Sequence, residues 1–139
     1  MPRSVCRDKS GSIAVEFAFI LPILITIVFG VIAYSTLYAT MHAVQQLASE
    51  AARASVAGLD DTERGTIVSN YISANATSYI FIDPQKLTSS ANTIAAQNTN
   101  YQVTLNYDNS ASFIYMFAGV LPLPPSKIQR TAVIVRGGY

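Results

Sequence analysis

The chain has 139 residues, one domain's worth at most, of which half are hydrophobic and only 12% charged. Its formal net charge of +1 gives no electrostatic case for binding nucleic acid. Cys6 is the only cysteine, so no internal disulfide can form, and without a His/Cys cluster a zinc site is not expected.

The hydrophobic excess is local. A short basic leader carries Arg3, Arg7 and Lys9 against one acid, Asp8. From Phe17 to Tyr34 there is then no charge, and the apolar character runs on to Leu37 and Tyr38. About 20 such residues cross a hydrocarbon core of ~30 Å as a helix, which predicts one transmembrane segment over about residues 17–38. The leader's charge predicts a cytoplasmic N-terminus, with everything after about residue 40 outside. The apolar run exceeds the ~7–15 residues of a cleavable secretory core and flows into helix-forming sequence, so it is expected to stay in the mature protein.

No breaker separates that run from "ATMHAVQQLASEAARASVAG". Met41, Val44, Leu47/Ala48, Ala51 and Ala54/Ser55 recur every three or four residues, the spacing of one helical face, and Gly58 marks a stop. The expectation is one helix over residues 12–57, roughly 65–70 Å long at 1.5 Å per residue. Pro22 removes one backbone bond inside it and predicts a kink or a loosened turn.

Beyond Gly58, Asp60 and Glu63 have the spacing of a capping box, and a second helix is expected over about residues 61–77 with Ile67, Val68, Tyr71 and Ile72 buried. "SYIFIDP" reads as a short strand ended at Asp83–Pro84, and the Ser/Thr/Asn/Gln-rich residues 88–100 as a loop holding at most a short helical turn. "YQVTLNYD" alternates cleanly, with Tyr101, Val103, Leu105 and Tyr107 on one face. "KIQRTAVIVRGG" is a second β-branched strand. The very apolar "FIYMFAGVLPLPP" between them is open to three readings: a buried connection, a strand or a sticky surface. The inferred fold class is α+β: a long membrane-spanning helix continuing into a small outer domain, residues 58–139, of helix plus antiparallel sheet. At about 80 residues that domain buries limited apolar surface and needs support from the long helix or from partners.

Glu16 is the anomaly. A carboxylate inside a bilayer costs roughly 2.5–3.5 kcal/mol even on lenient scales. The helix dipole favours an acid near an N-terminus, which is one account of it. A local capping box starting at Ser12 is not, because its acid would fall at position 15, which is Val15. A third account starts from Gly11, at the junction of leader and apolar run. If a protease cuts after Gly11, Ser12 becomes a new N-terminus with an α-amino group of reference pKa ~7.7–8.0, largely protonated at neutral pH. That cation lies one helical turn from Glu16, or faces it on an adjacent subunit. In a low-dielectric seam the pair would fix the register between packed helices.

The residues Lys9-Ser10-Gly11 followed by Ser12-Ile13-Ala14-Val15-Glu16-Phe17 resemble the processing site of class III signal peptides, which prepilin peptidases cut in type IV pilins. "GSIAVEFAFILPILITIVFG", with Pro22 six residues after the glutamate, is similar in particular to the TadE-like pseudopilins of tight-adherence (Flp) pilus systems. "EAARASVAG" and "KIQRTAVIVR" resemble that family's Ala/Arg-rich helix end and closing strand. The resemblance implies a leader of residues 1–11, a cut between Gly11 and Ser12, Glu16 as the fifth mature residue, and Pro22 as a helix kink. It further implies an inner-membrane pseudopilin that takes part in assembling or priming the pilus. Its partners would be a prepilin peptidase, other pilin and pseudopilin subunits, a membrane assembly platform and the lipid bilayer. Cutting after Gly11 would take the net charge from +1 to about −1 and remove the cytoplasmic basic anchor.

Two other classes stay in view: an unprocessed single-pass scaffold of an envelope secretion complex, and an envelope-bound enzyme or ligand sensor. The sequence shows no nucleophile–base signature, phosphate loop or metal-ligand spacing, so neither catalysis nor a cofactor is expected. His42, the only histidine, falls on the polar side of the long helix and reads as solvated. Asp60, Asp61 and Glu63 read as a helix cap and not as a metal site.

Overall fold

The computed structural model describes residues 9–94, 99–119 and 122–135. Most of the basic leader, residues 95–98 and 120–121, and the end of the last predicted strand lie outside that set. The elements are α1 (Lys9–Ala54), α2 (Asp61–Asn75), β1 (Leu87–Thr93), β2 (Asn100–Asp108) and β3 (Lys127–Val135). The three strands form one antiparallel sheet in the order β1-β2-β3. The fold is therefore α+β, as the sequence predicts. The chain divides into two compact units, one up to Ser35 and one from Thr36 on.

The first unit is helix alone. Its apolar side chains from Ile13 to Ile32 face outward, Phe19 being 73% exposed. The segment holds an 18-residue window of mean hydropathy 2.6, none of it buried, so it is long and apolar enough to cross a membrane. α1 continues through Pro22, and the Thr26 hydroxyl donates to the Pro22 carbonyl at 2.8 Å, a local bond of the kind that steadies prolines in membrane helices.

The second unit gathers its core on β2. Tyr101, Val103, Leu105 and Tyr107 are buried, in register with Ile134, Ala132, Arg130 and Ile128 of β3. Val44, Leu47, Ala48 and Ala51 of α1 and Ser55 just after it are fully buried, as the three-to-four spacing predicts, with Ala52 added, while Met41 and Ala54 of the expected face are half-buried. From α2 come Val68 and Ile72, while Ile67 and Tyr71 are only half-buried. On the opposite face of the sheet the Thr104 and Thr131 hydroxyls meet at 3.2 Å.

α2 begins where the capping residues place it. The Asp60 carboxylate accepts from the Glu63 amide at 2.7 Å, and Glu63 accepts in return from the Leu59 amide at 2.8 Å, one residue before the cap. α1 gives way to a 3₁₀ turn, Ser55–Ala57, and stops at Gly58. This glycine is extended, at φ −74° and ψ 141°, so the left-handed helix stop is not used. The requirement is space. A Cβ on Gly58 would lie 2.5 Å from Arg64 Cγ and 2.9 Å from the Arg64 amide nitrogen. Gly58→Ala is expected to cost about 1–3 kcal/mol of outer-domain stability by overpacking. Thermal melts of the full chain in detergent, followed by near-UV tyrosine signals, measure this.

Two expectations are corrected. Residues 79–83 form no strand. The Tyr79 amide bonds to Ala76 O and the Ile82 amide to Tyr79 O, which closes the segment into turns. Residues 87–93, expected to be mostly loop, form strand β1. Its register runs from Leu87↔Tyr107 to Thr93↔Tyr101, and the Thr93 hydroxyl donates to Asp61 at 2.6 Å. A polar edge strand needs no apolar alternation, because its outer face and free edge meet water. The apolar stretch after β2 opens with a 3₁₀ helix, Phe113–Phe117, which buries Ile114 and leaves Phe113 and Met116 exposed.

Candidate functional site

Gly11, Ser12 and Glu16 lie in the first two turns of α1. The helix begins at Lys9, before the predicted start, so the Gly11–Ser12 peptide bond is inside it. Ser12 and Glu16 are four residues apart and share one helical face, one turn above the other. All three side-chain positions are exposed. A Cβ on Gly11 would meet nothing within 4 Å, so packing within the chain does not call for glycine there. Glycine in a helix is destabilising by roughly 0.5–1 kcal/mol relative to alanine. Among the described residues Glu16 forms no ion pair. Pro22 follows nearly two turns later on the same exposed helix. The structure thus sets the four sequence-predicted residues along the exposed first part of α1.

The outer domain has a polar node that the sequence pattern does not reveal. Glu50, on α1, accepts from the Tyr71 hydroxyl at 3.0 Å and the Tyr79 hydroxyl at 2.9 Å through one oxygen, and from Gln46 Nε2 at 3.1 Å through the other. It ties α1 to α2 and to the turn beyond α2. The bonds from Gln46, Tyr79 and Tyr71, in that order of size, hold the Glu50 carboxyl below the usual range. Desolvation first, and then the hydrogen bond to Glu50, push Tyr79 up to about 12. The signal for this node is a single acid in the small-residue run "LASEAARAS", one helical turn after Gln46.

Arg64 is the second residue missed. It is buried in α2, its Nε donates to the Gly58 carbonyl at 3.0 Å, and its guanidinium lies 5.9 Å from the centre of the Tyr101 ring. Cation–π contact over a buried tyrosine keeps the charge tolerable there. The Cγ and backbone of Arg64, packed against Gly58, leave residue 58 no room for a side chain.

The other candidate residues have structural work. Asp60 and Glu63 cap α2, and Asp61 accepts from Thr93. His42 is exposed and borders a small cavity of about 250 Å³ with Tyr38, Met41, Gln45 and Arg130.

An exposed apolar helix followed by a small α+β unit fits a single-pass membrane protein. The TadE-like protein family model matches residues 11–53, from the motif glycine to the last turn of α1. Over that segment the chain is similar to that family, as the Gly11–Glu16–Pro22 motif leads one to expect. The family is one of structural components of tight-adherence pilus systems. No curated protein and no solved structure gives a significant match.

Proposed function

We propose that this chain is a pseudopilin that takes part in assembling or priming a tight-adherence pilus. It enters the inner membrane with its N-terminus in the cytoplasm and its outer domain in the periplasm. A prepilin peptidase then cuts after Gly11. The new Ser12 ammonium pairs with Glu16 of its own or a neighbouring helix, and the apolar length of α1 packs among other pilin helices above the assembly platform. The work is helix packing and register, not catalysis.

The observation that carries this reading is the exposed apolar surface of α1 from Ile13 to Ile32, within the TadE-like segment. Such a surface has to be covered by lipid or by other helices. Gly11 supports the cut: a glycine with open space around it loosens the first helical turn and gives a protease access to the backbone. A second reading, an unprocessed single-pass scaffold, draws on the helix starting at Lys9, ahead of that bond.

The test is the mass of the full chain extracted from membranes after coexpression with the peptidase. The expected product starts at Ser12. Gly11→Val is expected to lower the cut fraction by about tenfold or more, because a pocket shaped for glycine rejects added methyl groups by ~10–200-fold. An intact leader on the wild-type chain would favour the scaffold reading.

A further inference from the structure

One edge of the sheet leaves backbone groups without a strand to bond to. The Asn109 amide donates to Ser126 O at 3.0 Å, immediately next to the terminal β2–β3 pair, Asp108↔Lys127. In an antiparallel ladder bonded and non-bonded pairs alternate. Ile128, Arg130, Ala132 and Ile134 therefore direct their backbone groups at β2, and Gln129, Thr131, Val133 and Val135 turn theirs away from it. Two of the outward carbonyls have weak substitutes for a neighbouring strand. Arg130 Nη1 donates to Gln129 O and Gln45 Nε2 to Thr131 O, each at 3.4 Å, which is long for a hydrogen bond. Among the described residues, nothing bonds to the outward groups of Val133 and Val135.

Strand edges are normally blunted by a bulge, a proline or a charge. β3 has no bulge, because its register with β2 runs unbroken from Lys127 to Val135. Its charges, Lys127 and Arg130, lie in its first half, and residues 131–135 hold neither charge nor proline. Val133 is 51% and Val135 71% exposed, on the sheet face away from the core. Arg130 lies on the other face, half-buried, beside a cavity of about 250 Å³ that it shares with Tyr38, Met41, His42 and Gln45 of α1. It makes no ion pair among the described residues. An arginine is always charged, so this edge holds a standing cation without an acid.

We propose that the β3 edge docks an extended segment of another protein, which adds antiparallel as a fourth strand. Main-chain bonds to Gln129, Thr131, Val133 and Val135 supply the affinity, and side chains on the two faces supply the specificity. Partner residues opposite Val135 and Val133 are apolar. The residue opposite Arg130 points toward α1 and is an aspartate or glutamate, because cross-strand neighbours of opposite charge stabilise the pair. Along the partner the pattern reads apolar-x-apolar-x-x-acid. A second copy does not supply it edge to edge, since β3 contains no acid and both Arg130 side chains would stay uncompensated. All these residues belong to the unit from Thr36 on, so docking there requires neither the cut at Gly11 nor the membrane span.

The probe is a fluorescein-labelled peptide of serine and threonine with valine at its second and fourth positions and glutamate at its seventh, added to the full chain in detergent. Anisotropy reads binding, and NMR reads exchange of the Val133 and Val135 amides. The expected result is saturable binding, with those two amides exchanging at least about tenfold more slowly in the complex. Glutamine in place of the probe's glutamate, or Arg130→Gln in the chain, is expected to weaken binding about tenfold, and both together little more than either alone. N-methylation of the probe's two valine amides, which face β3, is expected to abolish binding, and N-methylation of the residue between them to leave it. Binding that ignores the position of the methyl groups or the glutamate overturns the proposal, as does an absence of binding. Slow exchange of Val133 and Val135 in the chain alone, growing with its concentration, assigns the edge to a second copy and also overturns it. The changes made on the probe keep the test decisive if Arg130→Gln folds poorly.

Discussion

Glu16→Gln is expected to leave cutting after Gly11 unchanged and to lower the amount of this chain recovered in sheared pili by at least about tenfold. The asymmetry follows from where the charges arise. Before the cut, Ser12 contributes an ordinary amide and Glu16 faces no terminal cation. After the proposed cut an α-amino group, protonated below its reference value of ~7.7–8.0, would sit one turn away on the same helical face. In water such a pair is worth little. In a packed helical seam, removing one partner leaves an uncompensated charge, at a cost of roughly 3–5 kcal/mol. That range is about two to three and a half decades of affinity, so tenfold is a lower bound that allows for water reaching the terminus. Glu16→Asp keeps the charge but shortens its reach, and is expected to fall between wild type and glutamine. Immunoblots of sheared fractions, normalised to cut protein in the membrane, give the ratio. If Glu16→Gln assembles as well as wild type, electrostatic registration is not what the acid provides.

The features that the sequence displays are those in which one physical demand dominates. Lipid solvation writes the uncharged run of α1. Burial of one helical stripe writes Val44, Leu47, Ala48 and Ala51 at their spacing. The α2 cap is local chemistry between Asp60 and Glu63, and β2 alternates because one face is core. What stays hidden has two demands acting at once. The turn from Tyr79 to Asp83 looks like a strand because it is apolar, yet its residues serve four ends. Tyr79 bonds to Glu50, Ile80 and Phe81 face outward, Ile82 is core, and the Asp83 amide donates to the Tyr107 hydroxyl. β1 looks like a loop because an edge strand of Thr and Ser gains its order from β2 and not from its own hydropathy. Arg64 and Glu50 escape a hydropathy reading because partners on other elements make their burial tolerable. In the candidate site the pattern Gly11, Glu16, Pro22 is legible because it lies within one short stretch of sequence and interrupts an otherwise apolar run.

The Glu50 node predicts the stability of the outer domain at both ends of the pH scale. Glu50 has its carboxyl lowered by Gln46, Tyr79 and Tyr71, so its contribution is present above the unfolded value of ~4.3 and is lost as pH falls through the lower folded value. Tyr79 is raised to about 12, so its contribution is complete below the unfolded value of ~10 and is lost as pH rises toward 12. The melting temperature of the full chain in detergent is therefore expected to be flat between these limits and to fall on either side. Asp108, lowered by its bonds to Ser110, shares the acid limb. Glu50→Gln is expected to shrink the acid limb without abolishing it, and Asp108→Asn to remove a further part. Tyr71, raised by its own bond to Glu50, and Tyr115, raised by burial, share the alkaline limb, so Tyr79→Phe is expected to shrink it without abolishing it. At neutral pH it costs about 1 kcal/mol, a hydrogen bond to a charged acceptor discounted for partial exposure. For a domain of this size that shifts the melting temperature by about 4–8 °C. Glu50→Ala is expected to exceed that shift, because two hydroxyls and the Gln46 amide lose their acceptor together. Because α1 carries Glu50, the same variant loosens α2 and the turn at Tyr79 from the helix. Hydrogen exchange should then quicken over residues 71–82 while β2 stays protected. Equal loss across the whole sheet would show that Glu50 holds up the entire fold and not this junction alone.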